Sequence, residues 1–203
     1  MKKQYVFSIF LATLLILAGA VIAGSGRTDE ALASPAIGTT VEDFTLPDTN
    51  GKDHALNALK GKKGSVLIFI SVQCPISNAY NERMAKLAQD YSERGINVIG
   101  INANKNESAE VVKQHASEKH LNFTILKDPG NKLADRLGAE HTPEAYYLDA
   151  NNRLLYHGRI DNSKDPAQVE SNDLRDALDA ALAGKPIQKT TSLAFGCSIK
   201  RVS

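Results

Sequence analysis

The chain has 203 residues, of which 42% are hydrophobic and 23% are charged, and its formal charge is +1. These values exclude a chain that is disordered throughout, and the near-neutral charge gives no support to nucleic acid as a partner. Two cysteines are too few for a disulfide-dense scaffold or a four-cysteine zinc site, which leaves one disulfide, one redox pair or two unrelated thiols.

Residues 1–33 predict a secretory signal peptide or a membrane anchor. Two lysines precede a stretch without charge from Gln4 to Gly26, and small residues around Ala23 and Ala33 offer cleavage sites. An uncleaved segment of this length could also span a bilayer. We therefore expect an exported protein, periplasmic or otherwise extracytoplasmic, which contacts a membrane only if this segment stays attached. Export would bring both cysteines into an oxidising compartment, where a disulfide persists.

The first half of the remaining chain predicts a buried strand followed by a long helix. An extended entry ends in a turn cluster at Pro47–Gly51. The continuous apolar run from Ser65 to Val72 is typical of a strand buried on both faces. Cys74 and Pro75 follow directly, and apolar residues spaced by three and four predict a helix from Pro75 or Asn78 to Arg94.

Strands and helices alternate in the second half. This order predicts an α/β sandwich, and a late hairpin makes its central sheet mixed. We expect one domain at residues 34–186, followed by a tail at residues 187–203 that carries Cys197. The predicted elements are strands at 96–101 and 123–126, helices at 107–120, 128–138 and 167–183, and a hairpin of 144–148 with 153–156.

Cys74 is the first candidate functional residue, because it lies between the buried strand and the predicted helix start. Free backbone N–H groups and the positive end of a helix favour a thiolate there and lower the pKa of the thiol. Pro75 suits the first helical turn, where its missing N–H costs little. Cys74 is therefore interpreted as a nucleophile, and a buried, inert cysteine is the alternative.

Thr142-Pro143, just before the hairpin, is the second candidate feature. The bond between them is either cis, which usually serves a tight structural role, or an ordinary trans bond that opens a strand. The residues alone leave both interpretations open.

With these features the chain resembles a thioredoxin-fold protein, and more narrowly the redoxin superfamily of alkyl hydroperoxide reductases and thiol-specific antioxidants, in its exported peroxiredoxin-like branch. The resemblance covers about residues 37–200. It implies that Pro143 is cis and lies beside Cys74, and that Cys74 is the attacking thiol. Besides the strand–Cys74–helix order and Thr142-Pro143, the motifs that carry the resemblance are Gly38–Lys52, Gln73–Tyr80, Arg153–Asp161 and Gly196–Lys200.

Two departures from related families bear on the chemistry. A thioredoxin-type reductase has Cys-x-x-Cys, but here Ser77 takes the second position, and its hydroxyl can donate a hydrogen bond to a thiolate without resolving a mixed disulfide. A peroxiredoxin has Pro-x-x-x-Thr-x-x-Cys, where this chain has Leu67 at the Pro position and Ser71 at the Thr position. The candidates for the peroxiredoxin arginine are Arg83, Arg136 and Arg159.

Cys197 is a candidate resolving thiol, since a two-cysteine peroxiredoxin also carries its resolving cysteine far downstream. It could condense with an oxidised Cys74 within one chain or across a dimer. The alternative is a structural or idle thiol on a terminal segment.

A copper site is a further alternative. His141 lies two residues before Pro143, which invites comparison with the copper-delivering Sco family, but Asn78 stands where that family has its second cysteine. Cys74, His141 and Cys197 would supply soft ligands for Cu(I).

We expect a thiol-dependent oxidoreductase or antioxidant whose Cys74 thiolate attacks a peroxide or a disulfide. Ser71 and Ser77 would polarise that thiolate, while Pro75, Thr142 and Pro143 would shape the substrate groove. The expected partners are a small-molecule peroxide or a protein disulfide, and a thiol reductant that the sequence does not identify. Neither an organic cofactor nor a metal is expected, and the alternative class is a non-catalytic binding module such as a Cu(I) carrier.

Overall fold

The computed structural model describes residues 33–202, so the predicted signal or anchor segment lies outside the described residues except for Ala33. A short antiparallel hairpin of β1 (Thr45–Pro47) and β2 (Asp53–Ala55) comes first, followed by α1 (Leu56–Leu59). The predicted turn joins the two strands, because Asp48 Oδ1 accepts hydrogen bonds from the N–H groups of Asn50 and Lys52 at 2.7 and 3.0 Å. The sequence predicted the turn but not the pairing.

The central sheet is mixed, as predicted. Strand β3 (Gly64–Phe69) is antiparallel to β7 (Glu144–Asp149), which is antiparallel to β8 (Leu154–Gly158). Strand β4 (Ile96–Asn102) is parallel to β5 (Thr124–Lys127) and lies alongside β3, where the Ile70 N–H donates to the Ile101 carbonyl at 2.9 Å. All six residues of β3 are buried, which agrees with its continuous apolar run.

Helices cover both faces of this sheet. Val66 and Ile68 of β3 face the apolar stripes of α3 (Asn81–Ser92) and α6 (Asp173–Leu182), while Leu67 and Phe69 pack with α1 and α5 (Lys132–Leu137). The alternation follows from the two-residue period of a strand. Because each face is closed by helices, the protein has the thioredoxin-like α/β fold that the resemblance implies. The remaining helices are α2 (Pro75–Asn78) and α4 (Ala109–Glu118), with single 3₁₀ turns at Pro129–Asn131 and Pro166–Gln168.

The predicted continuous helix from Pro75 or Asn78 to Arg94 was wrong, because it is broken between α2 and α3. Side-chain hydrogen bonds hold the chain on both sides of the break. Asn78 Nδ2 donates to the Val72 carbonyl at 2.8 Å, and the Tyr80 hydroxyl donates to Asp161 at 2.8 Å.

The last helix also starts later than predicted, at Asp173 rather than at residue 167. Asn162 Oδ1 accepts hydrogen bonds from the N–H groups of Glu170 and Ser171 at 2.8 and 3.0 Å, which holds this stretch as a loop.

The tail returns to the sheet edge and forms a strand pair that the sequence did not predict. Strand β9 (Cys197–Ser198) is antiparallel to β6 (His141–Thr142), with Cys197 opposite Thr142. Gly196 is needed there, because a Cβ at this position would overlap the Thr142 carbonyl. In the part of the chain that the structure describes, no helix combines the length and the apolar character required to cross a membrane.

Candidate redox site

A disulfide joins Cys74 to Cys197 across 123 residues of sequence, with the two Cα atoms 5.8 Å apart, within the usual range for protein disulfides. Cys74 follows the buried strand β3 and is the N-cap of α2, whereas Cys197 is the first residue of β9. Cys74 is only 2% exposed, while Cys197 is partly exposed. The fold therefore brings together the two cysteines whose relationship the sequence left open.

The Thr142–Pro143 peptide bond lies beside this disulfide and is cis, as the resemblance implies. The Thr142 carbonyl oxygen is 3.3 Å from Cys74 Sγ. Thr142 and Pro143 are buried, whereas Pro75 is exposed in the first turn of α2. The three residues expected to form the groove therefore lie near Cys74, and Pro75 alone among them faces solvent.

The hydrogen bond to Cys74 Sγ comes from the backbone rather than from a serine hydroxyl. The Ser77 N–H donates to the sulfur at 3.3 Å. The Ser77 hydroxyl instead accepts from the Ser71 N–H at 3.1 Å, and the Ser71 hydroxyl donates to Glu107 at 2.6 Å and accepts from the Cys74 N–H at 3.1 Å. Both hydroxyls therefore hold the loop around Cys74, and their polarisation of the sulfur stays a prediction.

Glu107 organises the loop before Cys74 and was missed by sequence reasoning. Its buried carboxylate accepts hydrogen bonds from the Ser71 hydroxyl at 2.6 Å, the Gln73 N–H at 2.9 Å and the Val72 N–H at 3.0 Å. Asn102 adds a fourth at 2.5 Å from the end of β4. One carboxylate therefore fixes three successive residues just before Cys74.

The prediction that α4 begins at residue 107 was wrong, and this explains why Glu107 was missed. The helix begins at Ala109, because the Ser108 hydroxyl accepts the Val111 N–H at 3.3 Å and caps it. Glu107 therefore lies in the loop after β4 with its side chain turned inward. The only feature of the sequence that pointed to Glu107 was a charged residue a few positions after a buried strand.

The carboxyl of Glu107 is held in its ionised form. Burial raises its pKa, but the hydrogen bonds from Ser71, Gln73 and Asn102 lower it by more, so that the pKa lies below its ordinary value. Lys127 closes the network by donating from Nζ to the Glu107 carbonyl at 2.5 Å, and burial lowers the pKa of this lysine.

A second buried carboxylate, Glu144, holds the chain on the other side of the disulfide. It directly follows the cis proline and accepts hydrogen bonds at 2.8 Å from both the Glu140 and the His141 N–H groups. His157 lies 2.6 Å from its other oxygen and stacks on Tyr146. Burial raises the pKa of Glu144, but the contacts with His157, His141 and Glu140 lower it further than burial raises it.

The three candidate arginines make contacts elsewhere. Within residues 33–202, no arginine donates a hydrogen bond to Cys74. Arg83 pairs with Asp161 at 2.6 Å, Arg159 pairs with Asp173, and Arg136 donates to the Glu42 carbonyl at 3.4 Å.

The described residues do not form the Cu(I) site that the alternative interpretation requires. Across the described residues, no group of three or more His, Cys, Asp or Glu side chains is arranged to hold a metal ion. Cys74 and Cys197 are bonded to each other, so neither offers a thiolate in this state. His141 belongs to β6, where it lies opposite Ser198.

Comparison with known proteins agrees with this architecture. The family model described as AhpC/TSA family matches residues 37–157. The chain is 28% identical over 154 residues to thiol-disulfide oxidoreductase ResA of Halalkalibacterium halodurans, covering 76% of this chain and 85% of that relative. It is also 28% identical over 147 residues to a chloroplastic peroxiredoxin Q of Sedum lineare, covering 68% and 77%.

Among solved structures, a hypothetical protein from Sinorhizobium meliloti superposes with a TM-score of 0.76 at 34% identity, covering 84% of this chain and 97% of that one. The family model spans more than half of the chain, and this structural relative shares both the fold and a third of the aligned residues. The chain therefore belongs to the AhpC/TSA family, within the thioredoxin-like redoxin superfamily.

Proposed function

We propose that this protein is a thiol-disulfide oxidoreductase in which Cys74 and Cys197 form the redox pair. The observation that carries the proposal is the disulfide between the cysteine that follows β3 and the tail cysteine of β9, next to the cis proline Pro143. Making and breaking one disulfide transfers two electrons, so this pair can exchange them with a partner's thiols or disulfide. The name of the relative ResA supports a disulfide as the substrate.

In the reduced protein we assign Cys74 as the nucleophile. Its thiolate attacks one sulfur of the substrate disulfide, forms a mixed disulfide and releases the first substrate thiolate. The Cys197 thiolate then attacks Cys74 Sγ, which releases the second substrate thiolate and restores the Cys74–Cys197 bond. Ser77 stabilises the attacking sulfur through its N–H. Pro75 forms the exposed part of the surface against which the substrate lies, and Thr142 and Pro143, buried beside β9 in the oxidised protein, join that surface when β9 moves off Cys74 in the reduced protein.

The same pair would allow peroxide reduction. The Cys74 thiolate would attack a peroxide to give a sulfenic acid and release an alcohol or water, and Cys197 would then condense with it, releasing water. We favour the disulfide, because Leu67 occupies the place of the peroxiredoxin proline and no arginine contacts Cys74 in the described residues.

The test measures disulfide transfer from insulin to the reduced full-length chain. We expect loss of insulin disulfides together with formation of the Cys74–Cys197 bond, as mass spectrometry of the peptides would report. Cys74→Ser should abolish the reaction, and Cys197→Ser should accumulate insulin bound to Cys74. Ser198→Ala, next to Cys197 and exposed, is the matched control and should react as the wild type does.

A Cys74→Ser chain that reduces insulin as fast as the wild type would contradict the proposal. A parallel reaction with hydrogen peroxide identifies the preferred substrate. If the reduced wild type consumes peroxide rapidly and leaves insulin intact, the protein is a peroxidase instead.

We also propose that the protein is exported, with residues 1–33 as signal or anchor, a redoxin domain at 34–186 and a tail at 187–203. The uncharged stretch from Gln4 to Gly26 and a disulfide that suits an oxidising compartment support this. N-terminal sequencing of the protein recovered from separated cell fractions tests it. A chain in the cytosolic fraction that still begins at Met1 would contradict export.

A further inference from the structure

We propose that, when the oxidised protein is reduced, the incoming thiolate attacks Cys197 rather than Cys74. This deepens the proposed thiol-disulfide exchange and rests on it. Cys74 is then the leaving thiolate when the protein is reduced and the nucleophile when it is oxidised by a substrate disulfide. Cys197 is the sulfur that the reductant attacks.

The two sulfurs of the disulfide differ in their access to solvent. Thiolate attack on a disulfide requires an approach in line with the S–S bond, from the side opposite the leaving sulfur. Cys74 is 2% exposed, and its Sγ lies between the Thr142 carbonyl and the Ser77 N–H, each 3.3 Å away. Cys197 is partly exposed. An incoming thiolate therefore has little room to reach Cys74, whereas Cys197 is partly open to solvent.

The stability of the leaving thiolate also favours attack on Cys197. The sulfur that leaves carries a negative charge, and exchange is faster when that charge is stabilised. The Ser77 N–H already donates to Cys74 Sγ, whereas Cys197 Sγ has no hydrogen-bond donor among the described residues. Departure of Cys74 is therefore easier, and its departure requires attack on Cys197.

The strand edge beside the cis proline is already occupied by the tail. Strand β9 pairs with β6 there, and the Thr142 hydroxyl donates to the Cys197 carbonyl at 3.4 Å. Gly196 approaches so closely that even a Cβ would overlap the Thr142 carbonyl. A partner strand cannot pair with Thr142 while the tail is bound, so a partner thiol must arrive at the solvent side of Cys197.

The tail is anchored on both sides of Cys197, which keeps this sulfur in position after the disulfide opens. Before it, the Ser192 N–H donates to the His157 carbonyl at 3.0 Å. After it, the Ile199 N–H donates to the Glu140 carbonyl at 2.9 Å, and the Val202 N–H donates to Asn131 at 2.7 Å. None of these bonds depends on the disulfide or involves residues 193–198, so this short segment can move off Cys74 in the reduced protein while its two ends stay anchored, and a mixed disulfide at Cys197 stays near Cys74.

The steps balance as two successive exchanges. A reductant thiolate bonds to Cys197 Sγ, the Cys74–Cys197 bond breaks, and the electron pair leaves on Cys74 as a thiolate. A second reductant thiolate then attacks the sulfur that the first reductant contributed to this mixed disulfide. The products are the oxidised reductant and a Cys197 thiolate. Two reductant thiolates are oxidised and one protein disulfide is reduced.

The test uses glutathione as the reductant probe and the oxidised full-length chain. The reaction is quenched with acid at successive early times, digested with pepsin, and the glutathione adducts on the Cys74 and Cys197 peptides are quantified by mass spectrometry. Cys74→Ser and Cys197→Ser chains, each loaded with glutathione on the remaining cysteine, are the controls that show both adducts are detected equally.

At the earliest times we expect the adduct on Cys197 to exceed that on Cys74 by more than about tenfold, since access and the leaving group favour the same sulfur. Equal adducts, or an excess on Cys74, would overturn the inference while leaving the proposed exchange intact. An oxidised chain that is not reduced by glutathione or by any dithiol, and forms no adduct, would overturn both.

Discussion

At the scale of single residues, two buried carboxylates hold the two chain segments that meet at the disulfide. Glu107 accepts hydrogen bonds from residues 71–73 just before Cys74, and Glu144 accepts from residues 140–141 just before the cis proline. Backbone N–H groups near a buried site need acceptors, and an ionised carboxylate satisfies several at once. Both residues act on the reactive sulfur through the position of the loops rather than by contact with it.

Replacement of Glu107 by Gln should therefore destabilise the fold. Glu107 accepts four hydrogen bonds, whereas a Gln side chain has one acceptor oxygen and turns an NH₂ group toward donors. At least one buried donor is left unpaired, at a cost of about 1–3 kcal/mol in the free energy of unfolding. Urea unfolding measures this, with Glu42→Gln at an exposed site as the control, where a change within about 0.5 kcal/mol is expected.

The same variant should reveal a pH dependence. The pKa of Glu107 in the folded protein lies below its ordinary value of 4.5, so its ionised form stabilises the fold above that pH. This contribution is lost as the pH falls through the folded pKa. We expect the difference in unfolding free energy between wild type and Glu107→Gln to be full at neutral pH and to shrink in acid. A difference that grows in acid would contradict this assignment.

At the scale of elements, the two-residue pair of β6 and β9 brings the tail cysteine to the site. It is short, but it connects segments far apart in sequence and lies directly against the cis proline. Phe195, just before it, packs edge-on against Tyr80 at 6.3 Å between ring centroids. The tail therefore lies over Cys74 and also places Cys197 next to it.

Gly196→Ala should loosen this pair. The added Cβ overlaps the Thr142 carbonyl, so β9 has to shift, and overpacking of this kind costs about 1–3 kcal/mol. In the reduced protein we expect Cys74 to be alkylated faster by iodoacetamide than in the wild type, since β9 covers it. Ser198→Ala adds no steric conflict and should leave the alkylation rate unchanged. Equal rates for Gly196→Ala and wild type would show that β9 does not shield Cys74.

Sequence reasoning predicted the elements whose signals are local. The apolar run of β3, the turn cluster at Pro47–Gly51 and the order of strands and helices needed only neighbouring residues. The break between α2 and α3 could not be predicted in this way, because one of the bonds that hold it, from the Tyr80 hydroxyl to Asp161, joins residues 81 apart in sequence. The start of α6 at Asp173 was missed for a similar reason, since the side chain of Asn162 holds the preceding loop.

The candidate site was only partly predictable. Cys74, Thr142 and Pro143 were found because strand-to-helix position and the family motifs single them out. Glu107 was missed because a buried carboxylate in a loop looks, in sequence, like an exposed residue at a helix start. The pairing of Cys197 with Cys74 stayed open, because no local pattern tells where a tail packs.

At the scale of the whole molecule, the disulfide closes a loop of 123 residues that contains most of the sheet. Such a bond restricts the unfolded chain, and the chain-entropy model assigns it about 4–5 kcal/mol. The oxidised protein should therefore be more stable to urea than the reduced protein by an amount of this order. The Cys74→Ser, Cys197→Ser double variant should show no dependence on reductant. An equal stability of the two redox forms of the wild type would mean that the unfolded chain is not restricted by this bond.

The central claim is that Cys74 and Cys197 act as one reversible redox couple. The most direct measurement equilibrates the full chain in glutathione buffers of graded potential and quantifies the Cys74–Cys197 peptide and the free thiols by mass spectrometry. We expect a single two-electron transition, in which both cysteines change together and the same curve is obtained from either direction. Two cysteines that titrate independently, or that remain free thiols in the most oxidising buffer, would contradict it.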